Sequence, residues 1–159
     1  MSKVGPSASL LNRLPRVRGK LKRNVSLSRY TWFRVGGPAD ILFVPADDRD
    51  LIEFVKECPK DVPITTIGVG SNLLVRDGGI RGVVIRLTRN FGKTEIEDTD
   101  ILAGSGVSSL KLARAGAGAG IGGLEFLAGV PGSVGGAVRM NAGAFGREVC
   151  NVLVSATVL

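Results

Sequence analysis

Apolar residues fall along the chain in short runs whose spacing switches between strand and helix. Ile41-Leu42-Phe43-Val44 is a continuous apolar run stopped by Pro45 and predicts a buried strand. Leu51, Phe54, Val55 and Cys58 then recur at helical spacing, with Asp47 or Asp48 placed to cap and Pro59 to terminate. Ile64–Ile67 and Val83–Leu87 read as further strands, separated by a glycine loop and a turn at Asp77-Gly78-Gly79. A strand-helix-strand-strand unit over about residues 35–88 is too small to stand firmly alone, so a second layer is expected.

That layer is predicted to open with a hairpin, Lys93–Glu97 against Ile101–Gly104 across Asp98-Thr99-Asp100. A helix over Val107–Ala117 follows, with Leu110 and Ala113 facing inward and Ser105 or Ser108 as the cap. Leu124–Ala128 reads as a helical turn, Ala137–Asn141 as extended, and Val152–Leu159 as a strand. Because the last of these stops on an apolar residue with no turn or polar terminator, the chain is expected to continue in its parent protein. The fold class is α+β, and 159 residues suffice for one domain or two small subdomains with a real core.

Composition removes several chemistries. There is no His, and Cys58 and Cys150 stand far apart without a Cys-x-x-Cys pair, which leaves neither a zinc site nor a disulfide framework. Both cysteines read as small buried residues of a reducing compartment. Without His or an arguable carboxylate pair, the serines Ser71, Ser105, Ser108, Ser109 and Ser133 have no general base to activate them. No apolar run reaches the length of a signal segment or a membrane span, so a soluble cytoplasmic protein is expected.

The net charge of +7 shifts the picture only locally. Residues 1–34 carry nine Lys/Arg and no acid, whereas the remainder carries twelve Lys/Arg against fourteen Asp/Glu. The basicity therefore belongs to an arm over residues 1–29, including Arg13, Arg16, Arg18, Lys20, Lys22 and Arg23, with no aromatic before Tyr30 on which a base could stack. A solvated or core-wrapping arm is the expectation; nucleic-acid binding and an organellar transit peptide are the alternatives.

Glycine carries the functional signal: 23 residues, about twice the usual ~7%, with thirteen between Gly104 and Gly146. Two runs stand out, Gly68-Val69-Gly70-Ser71-Asn72-Leu73-Leu74 and Gly129-Val130-Pro131-Gly132-Ser133-Val134-Gly135-Gly136. Each offers bare backbone N–H groups to a bulky anion, and the first follows a strand as a phosphate loop would. Neither matches the Gly-x-Gly-x-x-Gly or the Walker pattern, so a nicotinamide-type doubly wound fold is disfavoured and simple turn formation stays open. Weak side-chain chemistry beside such loops fits a cofactor protein, with Asn72 and Asn141 supplying donors and acceptors for a flavin edge or a ribose, unless they only shape turns.

Four blocks occur in order: Thr31-Trp32-Phe33-Arg34-Val35-Gly36-Gly37-Pro38-Ala39-Asp40, the Gly68–Leu74 loop, Asp77-Gly78-Gly79-Ile80-Arg81-Gly82, and the run from Gly129 through Asn141-Ala142-Gly143-Ala144-Phe145-Gly146. Together they resemble the N-terminal half of the UDP-N-acetylenolpyruvoylglucosamine reductase family, over about residues 30–150. The resemblance implies an FAD-binding domain of the p-cresol methylhydroxylase type, two α+β subdomains over 30–88 and 89–159, truncated in the second and lacking the substrate domain. It implies that Gly68–Leu74 hold the cofactor pyrophosphate. Pro131, Gly132, Ser133, Gly135, Gly136, Ala137, Asn141, Ala142 and Gly143 would line the isoalloxazine and ribityl end. FAD would be non-covalent, since the His that attaches flavin in relatives of this fold is lacking. NADPH would be the reductant and the enolpyruvyl UDP-sugar the substrate, in a monomer of peptidoglycan synthesis. The family's catalytic Arg, Ser and Glu all match positions after Leu159, so no catalytic residue is expected within this chain. A non-catalytic flavin or nucleotide module is the alternative. Gly70→Val is expected to abolish FAD retention by blocking the pyrophosphate's approach.

Overall fold

The structure, a computed structural model, describes residues 10–159. The chain divides into two compact units, one running through Leu87 and the other from Thr88 to Leu159.

The first unit is built on a four-stranded sheet in the order β1-β2-β4-β3. β1 (Lys20–Ser26) pairs antiparallel with β2 (Pro38–Val44), while β3 (Ile64–Ile67) and β2 both run parallel to β4 (Ile80–Arg86). Pairing starts upstream of the apolar runs, at Pro38 and Ile80, and β4 closes at Arg86. At the junction Arg81 and Gly82 face Asp40 alone; Asp40 accepts from Gly82 N–H at 3.0 Å and from Arg81 at 3.2 Å, fixing this irregularity. Leu42, Val84 and Ile67 pack with Leu27 and Val75. Phe43, the next residue of β2, turns to the opposite face and meets Phe54 with ring centroids 4.3 Å apart.

Phe54 belongs to helix α1 (Asp48–Glu57), whose cap is Asp47: its carboxylate accepts from the Asp50 N–H at 2.9 Å. Asp50 is itself buried and accepts three N–H bonds, from Arg18, Gly19 and Ala46, at 2.8, 2.9 and 2.9 Å. Burial works to raise its pKa, but these bonds prevail and hold it below the ordinary carboxylate range.

Residues 20–26, read from sequence as part of the basic arm, thus form an edge strand, and residues 1–9 lie outside the described residues. Upstream of the strand, Arg13 pairs with Asp61 at 2.6 Å and Arg18 with Asp47 at 2.8 Å. Two of the arm's cations are therefore turned toward acids of the same unit.

The second unit opens with the hairpin β5 (Thr94–Glu97) and β6 (Asp100–Ala103), tighter than predicted because Asp100 pairs with Glu97 and leaves Asp98-Thr99 as the turn. Helix α2 (Ser109–Gly118) is capped by Ser108, which accepts from Lys111 N–H at 3.2 Å. Its buried face is Ser109, Leu112, Ala113 and Gly116. Leu110, predicted to face inward, is 43% exposed. It lies off the i, i+3, i+4, i+7 stripe that contains Ala113.

Ala137–Asn141 are not extended. Val134–Met140 form helix α3, with Asn141 as a left-handed cap at φ 44°. Val134, Ala137 and Val138 do follow helical spacing into the core, but two adjacent glycines, poor helix formers, masked the signal. The core is completed by Val107, Phe126, Leu127, Val130 and Val149. A small hairpin, β7 (Gly143–Ala144) and β8 (Arg147–Glu148), turns at Phe145-Gly146 with φ of 55° and 78°, the left-handed pair that a two-residue hairpin requires. Residues 153–159 form no strand, because among the described residues no sheet edge pairs with them. Cys58 is buried as expected, whereas Cys150 is exposed: its N–H donates to Asn141 Oδ1 at 2.9 Å and its thiol to Glu148 at 3.6 Å.

Candidate functional site

In the first unit the parallel strands β2, β3 and β4 end on one edge of the sheet, and Gly68–Leu74 leave from the end of β3. Carboxyl ends of parallel strands are the usual place for ligand loops in open sheets. The loop is docked on the segment that follows the 3-10 turn Leu27–Arg29: Trp32 N–H donates to the Gly70 carbonyl at 3.0 Å. That segment is braced by Thr31, whose hydroxyl donates to the Val35 carbonyl at 2.9 Å. Farther along, the Arg76 carbonyl accepts from both Gly37 and Gly79 N–H groups, at 3.0 and 2.9 Å.

This contact changes the reading of Gly70. Its φ is +69°, and a Cβ there would lie 2.1 Å from the Tyr30 carbonyl oxygen, inside the protein rather than over the loop's outer surface. The expected Gly70→Val block of a ligand's approach is therefore a fault in the protein's own packing. Gly78 differs, because a Cβ there would meet nothing within 4 Å. Gly70 is buried, Gly68, Ser71 and Leu73 are half-buried, and Val69, Asn72 and Leu74 are exposed, Leu74 by 69%.

In the second unit the glycine run wraps the start of α2. Ser109 N–H donates to the Gly132 carbonyl at 3.1 Å, and Ser133 bridges Ser108. The Val134 and Gly135 N–H groups donate to the Val107 and Ser105 carbonyls at 2.8 and 2.9 Å, so these two donors, expected to be bare, are already satisfied. A Cβ on Gly135 would lie 2.8 Å from Ser105 Cβ, whereas one on Gly136 would meet only Ser133 Oγ at 3.6 Å.

Of the other predicted residues, Ser133 and Ala137 are buried, Gly132 and Ala142 half-buried, and Pro131, Gly136, Asn141 and Gly143 exposed. Asn141 is a structural clamp: Nδ2 donates to Glu148 at 2.7 Å while Oδ1 accepts from Cys150 N–H.

The residues fit a flavin dinucleotide. Gly78 in the first unit and Gly136 in the second are glycines that each unit's own packing does not demand, which leaves their main chains open to close approach. Exposed Trp32 and Leu74 in the first unit, and exposed Met140 in the second, offer apolar area to rings. The sequence reading gave no role to Tyr30 or Arg86, whose guanidinium carbon lies 4.7 Å from the Tyr30 ring centroid. No motif marks such a pair, since it is made by strand register.

Residues 39–159 match the FAD binding domain family, and the chain belongs to that family. Its relatives narrow the class. It is 58% identical over 147 residues to the UDP-N-acetylenolpyruvoylglucosamine reductase of Caulobacter sp. (strain K31), covering 92% of this chain and 48% of that protein. It is 54% identical over 153 residues to the reductase of the same name from Parvibaculum lavamentivorans, covering 96% of this chain and 49% of the relative. Among solved structures, UDP-N-acetylenolpyruvylglucosamine reductase from Thermus caldophilus is similar with a TM-score of 0.66 and 38% identity, over 84% of this chain and 46% of that one. The chain spans about half the length of the curated relatives it matches.

Proposed function

We propose that this chain binds FAD without a covalent link and forms the flavin-holding half of an NADPH-using reductase. That reductase would convert UDP-N-acetylglucosamine enolpyruvate to UDP-N-acetylmuramate, a step of peptidoglycan synthesis in the cytoplasm. The family match over residues 39–159 carries this reading, and the glycines open to close approach support it. The two compact units are taken as the two subdomains.

When bound, the flavin would supply hydride transfer from NADPH to the substrate double bond. The chain's own part is to hold and orient. Gly68–Leu74 present main-chain groups and the Ser71 hydroxyl to the pyrophosphate. Pro131, Gly132, Gly136, Ala142 and Gly143 give a low surface for the isoalloxazine and ribityl end, with Ser133, Gly135 and Ala137 fixing that surface from beneath and the exposed Asn141 clamping its end to Glu148 and Cys150. No residue of this chain is assigned to proton transfer: it contains no His, and Ser133 is buried where it bridges Ser108. The whole enzyme is proposed to act as a monomer on a UDP-sugar, without nucleic acid. Among the described residues no helix is long and apolar enough to cross a membrane.

Purified protein is expected to be yellow and to release FAD on heating. Protein that is colourless and fails to bind added FAD would defeat the proposal. Extended to its relatives' length, the chain is expected to oxidise NADPH only when the enolpyruvyl UDP-sugar is present. Flavin binding without that dependence would favour a non-catalytic module.

A further inference from the structure

Arg86 ends β4 directly opposite Ile67, the residue that precedes the first glycine loop. Strand alternation puts its side chain on the face of Val84, the face covered by Leu27, Tyr30, Leu73 and Val75. Tyr30 lies against the guanidinium, at 4.7 Å from ring centroid to Cζ. The ion pairs among the described residues use Arg13, Arg18, Arg49 and Arg81, so Arg86 has no carboxylate partner there. Its Nε is fully buried and has no hydrogen-bond acceptor.

A guanidinium packed on an aromatic ring has one face occupied and its five donors confined to the plane. Buried charged donors are normally satisfied, so an orphan at the mouth of a glycine loop calls for an anion. A diphosphate suits that geometry, because Arg recognises phosphate oxygens through paired, parallel N–H bonds.

We infer that Arg86, held flat by Tyr30, is the counter-ion of the diphosphate carried by the Gly68–Leu74 loop. This rests on the FAD reading and adds to it a positioning residue for one part of the cofactor. Arg86 acts on the phosphates alone, so ligands lacking them are indifferent to it.

The test compares FAD with riboflavin, which has the same ring and no phosphate, by quenching of flavin fluorescence. Arg86→Met keeps an apolar stem against Tyr30 and removes the charge. It is expected to weaken FAD binding about tenfold or more, leave riboflavin affinity unchanged, and flatten the salt dependence of FAD binding. Arg86→Lys keeps stem and charge but loses the fork; it serves where the Met variant does not fold and is expected to weaken FAD several-fold, again without affecting riboflavin. Wild-type FAD affinity in the folded variants overturns the inference, as does an equal loss for FAD and riboflavin, which would mark a purely structural residue. A wild-type chain that binds neither flavin removes the FAD reading itself, an outcome distinct from wild-type binding that ignores Arg86.

Discussion

Single glycines of this chain answer to different masters. Gly70 is demanded by its left-handed φ and by the Tyr30 carbonyl, while nothing in the protein crowds Gly78. Gly70→Ala is expected to lower stability by about 2 kcal/mol or more, read as a reduced urea midpoint. Gly78→Ala should remain within about 0.5 kcal/mol of wild type in the same titration. If it also loses FAD, Gly78 lies on the ligand path. Asp50 is a second residue whose environment dictates behaviour. Its folded pKa is depressed, so its contribution is complete above the unfolded value of about 3.9 and is lost as pH falls through the folded value. The melting-temperature gap between wild type and Asp50→Asn is accordingly expected to be widest near neutrality and to close on acidification below about pH 4. A gap that widens in acid would contradict the assignment. The residue types at these positions were legible in the sequence, but their partners were not. Gly70 meets Tyr30, and Asp50 meets residues 18 and 19, across distances in the chain that no local pattern encodes.

Elements with uninterrupted periodicity emerged as read. β3 is Ile64–Ile67, the helix after Pro45 is capped by Asp47, and the hairpin near residue 98 has the predicted partners with a tighter turn. The misread elements share a physical cause, a local preference overruled by packing. Glycines at 135 and 136 hide α3, and Gly135 is retained because Ser105 leaves no room for a Cβ. β1 is polar by composition and exists because β2 offers an edge to pair with. In α2 the stripe is offset from the one predicted, and this too has a measurable consequence. Leu112→Ala is expected to cost about 2–4 kcal/mol by leaving a cavity, whereas Leu110→Ala, at an exposed position, should change the denaturation midpoint little. Equal effects of the two would mean that the buried face is wrongly assigned.

For the molecule as a whole, the α+β class, the cofactor type and the four ordered blocks were legible, because backbone chemistry leaves a compositional trace in glycine. Strand register leaves none, which is why Arg86 and Tyr30 stayed hidden. Ligand linkage offers a test at this scale: FAD at a hundredfold excess over its dissociation constant is expected to raise stability by about 2.7 kcal/mol, seen as a concentration-dependent rise in melting temperature. A melting curve insensitive to FAD would argue against a folded-state site. Finally, Trp32 is the chain's one tryptophan, 61% exposed, and its main chain is bonded to Gly70. The protein thus contains its own optical reporter beside the first glycine loop, and the colour of its indole emission follows the wetness of that surface without any attached dye.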